Sequence, residues 1–185
     1  MSILGNDKYI LSDIYNTDLY RMSDIWRYGT RLVNRQENVA EHSFYVIFKV
    51  FELGAKYNVP TDKINKAVRI ATCHDCGEIY TGDLPYSLKF YSPEIKEKSE
   101  ELEIKLIKEN FPIFGQDFED FITNKDPIIT TLVKAADAYS AVMFSTREEQ
   151  LGNRNNDMVQ LKLECTERYI KLINKLKELL NNNEK

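Results

Sequence analysis

Apolar side chains recur at three- and four-residue intervals along most of this chain, and such a period buries a continuous stripe only in a helix. Over residues 39–57 the stripe runs Val46, Val50, Leu53 and Tyr57. Thr61 or Asp62 supplies a cap for the next helix, whose Ile64, Ala67, Val68 and Ala71 share one face leading to His74. Gly82 and Pro85 interrupt the period and predict a loop over 81–86. Ser92-Pro93 opens a helix to about residue 110, whose Glu and Lys residues at four-residue spacing predict a solvated face. Its expected buried residues include Ile95, Leu102, Ile104 and Leu106. Residues 111–125 are ambiguous, being rich in Phe but broken by Pro112 and Gly115. Asp126-Pro127 begins a long helix to about residue 151, stopped by Gly152-Asn153. Asn156 or Asp157 begins the last, striped by Leu161, Leu163, Tyr169, Leu172, Ile173 and Leu176 and followed by a polar tail over 181–185 that is expected to fray. With little strand signal, no repeat and no linker, the expectation is all-α: a single compact helical domain over residues 1–185.

Composition narrows the function classes. A chain of 185 residues is long enough for one well-buried core, and 43% hydrophobic with 29% charged residues is ordinary for a globular protein. The net charge of −4 argues against broad binding to duplex nucleic acid, which needs a basic footprint. Residues 1–16 have neither a basic flank nor a continuous apolar stretch, and the longest strongly apolar run, 44–48, is too short for a bilayer. No membrane partner is expected, and three cysteines without a targeting segment predict free thiols in a reducing cytoplasm. Cys73-x-x-Cys76 has the spacing of half a zinc site or of a redox pair. Without a second Cys pair or a surrounding βαβ pattern, buried small side chains are the expected reading.

The chain has only two histidines, His42 and His74. His74 is followed by Asp75, and Asp137 stands alone in the apolar run Val133-Lys134-Ala135-Ala136-Asp137-Ala138-Tyr139. His42, His74, Asp75 and Asp137 offer two imidazole nitrogens and two carboxylates from three predicted helices, a donor set suited to one divalent transition metal. Mn, Fe(II), Co or Zn suits this mixture better than Ca or Mg, which prefer oxygen alone. Such an ion acidifies a bound water into a nucleophile and polarises a phosphoryl oxygen. Glu78, four residues beyond His74 and so expected on the same helix face, is placed to orient or deprotonate that water, and Asp83 on the adjoining loop can share the task. Arg27, Arg31 and Arg35 are candidates for bidentate phosphate contact. Taken singly, each of these residues has an ordinary structural explanation; the joint arrangement favours a metal site.

Four blocks then carry a resemblance. His42, His74-Asp75 and Asp137 are similar to the H…HD…D signature of HD-domain phosphohydrolases. More narrowly, Arg27-Tyr28, Glu37-Asn38-Val39-Ala40-Glu41-His42-Ser43, His74-Asp75-x-x-Glu78-x-x-Thr81-Gly82-Asp83-Leu84-Pro85 and Lys134-Ala135-Ala136-Asp137-Ala138 resemble the YfbR-like 5′-deoxynucleotidases, the likeness running over about residues 21–163. The resemblance implies a helical bundle enzyme, typically a homodimer, that removes the 5′-phosphate of deoxyribonucleoside monophosphates with a divalent metal. By that likeness His42, His74, Asp75 and Asp137 are the metal ligands, Arg27 orients the phosphate, and Glu78 and Asp83 manage the attacking water. Nucleotide contacts are expected from Tyr28, Asp75, Asp83, Leu84, Pro85, Tyr86, Lys89 and Asp137. The family has a tryptophan after the arginine, thought to crowd the sugar's 2′ position; here that position is Tyr28, with tryptophan at Trp26. For Tyr28, a substrate role and plain core packing both stay open. Two other functions keep the same fold. One is a deoxynucleoside triphosphate triphosphohydrolase, favoured if Arg31, Arg35 or Lys89 adds positive charge near Arg27; the other is a non-catalytic nucleotide sensor.

Overall fold

The computed structural model describes residues 18–84 and 92–183. Pro85, Tyr86 and Lys89, expected at the nucleotide, lie outside the described residues, as does the end of the tail at 184–185. The all-α expectation is met: α1 (Val39–Lys56), α2 (Thr61–Cys73), α3 (Glu78–Thr81), α4 (Pro93–Asn110), α5 (Gly115–Ile122), α6 (Pro127–Gln150) and α7 (Asn156–Asn183), with short 3₁₀ turns at Asp18–Asp24 and Pro112–Phe114. Among the described residues the only extended pairing outside a strand is one antiparallel bridge between Trp26 and Asn38. No helix of the described residues is long and apolar enough to cross a membrane.

Local chemistry explains where the helices begin and end. Asn38 caps α1 by accepting from the Glu41 amide at 2.8 Å. Asp126 caps α6 by accepting from the amides of Ile128 and Ile129, with Pro127 at the first turn. Gly152, at φ +87°, takes the left-handed conformation that ends α6, while Asn153 donates its amide back to the Glu148 carbonyl at 2.9 Å. The start of α2 departs from expectation: its cap position is Pro60, without a side-chain hydrogen bond, so neither Thr61 nor Asp62 caps it. The last helix continues through Asn183, so 181–183 are helical rather than frayed.

Helices α1, α2 and α6 pack against one another, and α7 lies along α6. Their shared core contains Val46, Val50 and Leu53 of α1, Ala67, Ile70 and Ala71 of α2, Leu132, Val133 and Ala136 of α6, and Ile173 and Leu176 of α7. A second cluster gathers Met22, Val39, Cys73, Cys76, Ile79, Ile107 and Phe118, with Phe121 packed against both clusters. Two stripes were misjudged from sequence. On α4, Ile95 and Leu102 are exposed and Ile107 is the buried residue; on α7, Leu163 is exposed. Both helices are amphipathic at the molecular surface, where a partner face decides which of several apolar positions is covered. Cys73 and Cys76 are buried free thiols, and burial raises both, Cys76 to about 12.

Away from the histidines, α2 is tied to α5 by charge. Asp120, 8% exposed, accepts from Lys66 at 2.8 Å, from Gln116 at 2.9 Å and from Lys125 at 3.2 Å. The Lys66 hydrogen bond is the chief reason that its carboxyl falls from the ordinary 3.8 to about 2. A depressed folded-state value means that the unfolded chain takes up the proton first as pH falls. This stabilisation is therefore complete above about pH 4 and is lost as pH drops through about 2. Asp120→Asn is expected to cost about 1 kcal/mol at neutral pH, after allowing for solvent screening, and to flatten the dependence of urea stability on pH between 4 and 2. Equal pH slopes for the variant and the unaltered protein would remove Asp120 from this role.

Candidate metal centre

His42 is fully buried because it continues the inward stripe of α1 between Val39 and Val46. His74 sits at the C-terminal cap of α2, and Asp75 follows in the tight turn that leads into α3. Asp137 lies midway along α6. The packing of α1, α2 and α6 brings these side chains to one point. The two Nε2 atoms are 3.3 Å apart. Asp75 Oδ2 is 3.4 Å from His42 Nε2 and 3.3 Å from His74 Nε2. Asp137 Oδ1 is 3.5 Å from His42 Nε2.

These separations have a simple meaning. Two donors each roughly 2.0–2.2 Å from one ion, with an angle of roughly 90–110° between them, stand about 2.8–3.6 Å apart. His42, His74 and Asp75 form a compact group able to hold a metal, with Asp137 reaching it through His42. The tautomers agree. His74 Nδ1 donates to the Ala71 carbonyl at 2.8 Å, which leaves the Nε2 lone pair facing the other donors. His42 Nδ1 is 3.1 Å from the Ser140 hydroxyl, which can accept its proton and turn that Nε2 lone pair inward as well. Burial, aided by the nearby Arg27 charge, lowers His42 to about 4, so its ring is neutral at pH 7. Burial opposes the charge on Asp75, but His74, Arg27 and His42 outweigh it and hold the carboxyl below its ordinary range. Burial likewise opposes the charge on Asp137, and His42 at 3.5 Å together with the Arg168 charge carries it well below that range.

Arg27 reaches this group from outside the helices. It is held by the Trp26–Asn38 bridge and by its amide, which donates to the Glu37 carbonyl at 2.9 Å. Its Nη1 donates to Asp75 Oδ2 at 2.9 Å. Burial works against its charge, but Tyr28, Asp75, Asp137 and Glu78 together keep it firmly protonated. Tyr28 has φ +60°, a conformation that L-residues rarely adopt, and its amide donates to Asp83 Oδ2 at 3.0 Å. Its ring stacks on Phe144 at 4.2 Å and 11°. Both readings of Tyr28 thus have a basis, since it is packed and also adjoins Arg27. One oxygen of Asp83 is committed to shaping the Arg27-Tyr28 turn. Leu84 is half-buried beside it in chain, in an irregular stretch.

Three expectations change. Glu78 is not on the helix face of His74: α2 stops at Cys73, and Glu78 opens α3 after a turn in which its amide donates to the Asp75 carbonyl at 3.0 Å. Glu78 still lies near enough to act on the charge of Arg27. Arg31 and Arg35 do not join Arg27 at the cluster: Arg31 pairs with Asp157 of α7, and Arg35 with Glu41 of α1. Their four-residue spacing has no helical meaning, because residues 25–37 are not helical. Sequence reasoning also missed three participants. Ser140 backs His42, and its place three residues after Asp137 on one helix was a readable signal. Glu37 is buried beside Arg27 and His42. Arg168 of α7 donates to Asp137 Oδ2 at 3.2 Å, and no local pattern announces it.

The chain is similar to known proteins in both sequence and fold. The sequence profile of the family described as 5′-deoxynucleotidase YfbR-like matches residues 15–179. A 5′-deoxynucleotidase of Photobacterium profundum is 30% identical over 159 residues, covering 80% of this chain and 81% of the relative. One of Photorhabdus temperata is 32% identical over 141 residues, covering 71% and 72%. Among solved structures, the HD phosphohydrolase of cyanophage S-2L, bound to dA and one catalytic Zn²⁺ ion, superposes with a TM-score of 0.72 over 91% of this chain and 95% of that one. At 22% identity that likeness concerns the fold.

The hydroxyl behind His42 gives a direct test of the centre. Ser140→Ala should weaken zinc binding by about 10- to 100-fold, as loss of a partner behind a metal-bound histidine typically does. Isothermal titration of metal-stripped protein measures it, and unchanged affinity would remove Ser140 from the centre.

Proposed function

The chain belongs to the YfbR-like 5′-deoxynucleotidase family and is a metal-dependent phosphohydrolase, and on that premise we propose that it converts deoxyribonucleoside 5′-monophosphates to deoxyribonucleosides and phosphate. The observation that carries this reading is the meeting of His42, His74 and Asp75 at mutual spacings of one ion's ligands, with Asp137 against His42 and Arg27 on Asp75 at the edge. We assign the four as ligands of one divalent metal. Zn, Co, Mn and Fe(II) all fit two imidazoles and two carboxylates. When bound, such an ion supplies an acidified water and polarises the phosphoryl group.

The other steps fall to the chain's own residues. Arg27, half-buried and charged, binds the phosphate and orients it by a two-pronged contact. Glu78 takes the proton of the attacking water, a role supported by its place in the turn directly after Asp75. Asp83 fixes the turn that presents Arg27 and Tyr28, and shares the handling of water through its other oxygen. Tyr28, braced by Phe144, borders the sugar, where Asp75, Asp137 and Leu84 also make contact, and by the family resemblance Pro85, Tyr86 and Lys89 are further nucleotide contacts. The engagement of Arg31 and Arg35 in pairs with Asp157 and Glu41 favours a monophosphate over a triphosphate, whose distal groups would need those charges.

The reading takes residues 1–185 as one catalytic domain, in keeping with two apolar clusters that share Phe121. It places the enzyme in the cytoplasm, where the free thiols of Cys73, Cys76 and Cys165 remain reduced. It also takes the enzyme to be a homodimer, which the exposed row Phe44, Phe48 and Phe51 along α1 supports, since a second copy would cover it.

Substrate assays decide the reaction. Metal-loaded enzyme should release inorganic phosphate from deoxynucleoside monophosphates faster than from ribonucleotides. Tripolyphosphate from a deoxynucleoside triphosphate would instead identify the triphosphohydrolase, and silence throughout would identify a sensor. Glu78→Ala should retain metal while kcat falls by about 10²–10⁴-fold; full activity would transfer the proton role to Asp83. Asp137→Ala should lose both metal and activity, as read by metal content per chain, and an active, metal-replete variant would reject it as a ligand.

A further inference from the structure

Glu37 is a buried carboxyl beside the centre that the proposed reaction leaves unused. It is 4% exposed and immediately precedes the cap of α1. Its Oε2 lies 3.6 Å from Arg27 Nε and 3.9 Å from His42 Nδ1. Both separations exceed hydrogen-bond length, and among the described residues neither Glu37 Oε2 nor Arg27 Nε has a hydrogen-bond partner. Burial pushes the Glu37 carboxyl up to about 7 against the pull of the Arg27 charge, so an acid kept here in so loose a contact points to a role beyond stability. Meanwhile the terminal edge of Arg27 is occupied by Asp75, the group assigned to the metal.

We propose that Glu37 is a positioning residue, a fixed anchor for Arg27 Nε about which the guanidinium turns its Nη edge from Asp75 to the substrate phosphate. The chemistry follows from the donor inventory of arginine: Nε–H points sideways from the side chain, whereas the two Nη groups at its tip form a fork that can grip a phosphate end-on. The Glu37 carboxyl oxygen beside Nε holds the plane of the fork while its front exchanges partners. Asp75, were it to hold a divalent ion, would bind Nη1 less tightly, while Glu37 keeps the guanidinium from swinging out to solvent. The backbone bond from the Arg27 amide to the Glu37 carbonyl, at 2.9 Å, fixes the two residues side by side.

This inference rests on the assignment of Arg27 to the phosphate, and a double-mutant cycle separates the two. The readouts are KM and kcat for a 5′-deoxynucleoside monophosphate, and competitive inhibition by inorganic phosphate, all on metal-loaded enzyme. Glu37→Gln should raise KM and the phosphate inhibition constant by about 10-fold, with a smaller change in kcat, and Glu37→Asp should recover part of the loss. In the Arg27→Ala background, Glu37→Gln should have no further effect. An equal effect in both backgrounds would overturn the proposal. Unchanged phosphate inhibition in Arg27→Ala alone would instead reject Arg27 as the phosphate ligand. If Glu37→Gln does not fold, nitrogen-15 spectra of the unaltered enzyme serve: Arg27 Nε–H should stay protected from solvent exchange when phosphate is added. Exchange as fast as that of the exposed Arg147 would overturn the anchor.

Discussion

Two imidazole nitrogens face each other at 3.3 Å inside this protein, and the rest of the structure is arranged to make that approach tolerable. Their opposite nitrogens have partners, the Ala71 carbonyl for His74 and the Ser140 hydroxyl for His42. With both inner lone pairs converging and two carboxylates beside them, the arrangement is repulsive unless a cation occupies the centre. The helices bear this load between two apolar clusters. His42 rides on the stripe that buries Val46 and Val50, His74 and Asp75 follow the buried Cys73, and Asp137 projects from the helix that carries Leu132, Val133 and Ala136. A metal would therefore join three helices as well as serve chemistry, so its binding energy adds to the stability of the fold.

Arginines close the electrostatic balance from two sides. Arg27 bears on Asp75 and Arg168 on Asp137, so each carboxylate that faces the centre is also held from outside. Such bracing fixes which oxygen each carboxylate presents. It also explains why the acids remain charged in spite of burial. Asp83 works differently: by accepting from the Tyr28 amide it stabilises a left-handed residue and so points the Arg27 side chain at the cluster.

What the sequence made legible follows from the range of each interaction. Caps and stops are local, so Asn153 after Gly152 and Asp126 before Pro127 marked the bounds of α6 closely. His42, set on an apolar stripe, could be placed inside by period alone. Glu78 was given the right neighbourhood for the wrong reason, because a spacing of four implies a shared face only while the helix continues, and α2 ends one residue before His74. The same mistake made Arg31 and Arg35 look like companions of Arg27. Arg168 was invisible, since it meets Asp137 only because α7 folds back along α6. Glu37 stood in a recognisable block, but burial, which makes it interesting, is a property of the packed molecule.

The central claim is that one cation belongs among His42, His74, Asp75 and Asp137. Anomalous diffraction from crystals of cobalt-loaded protein, recorded on either side of the cobalt edge, tests it most directly. The account predicts a single strong peak within coordination distance of both Nε2 atoms and of an oxygen from each carboxylate. A peak elsewhere, or none at that point in fully loaded protein, would contradict it.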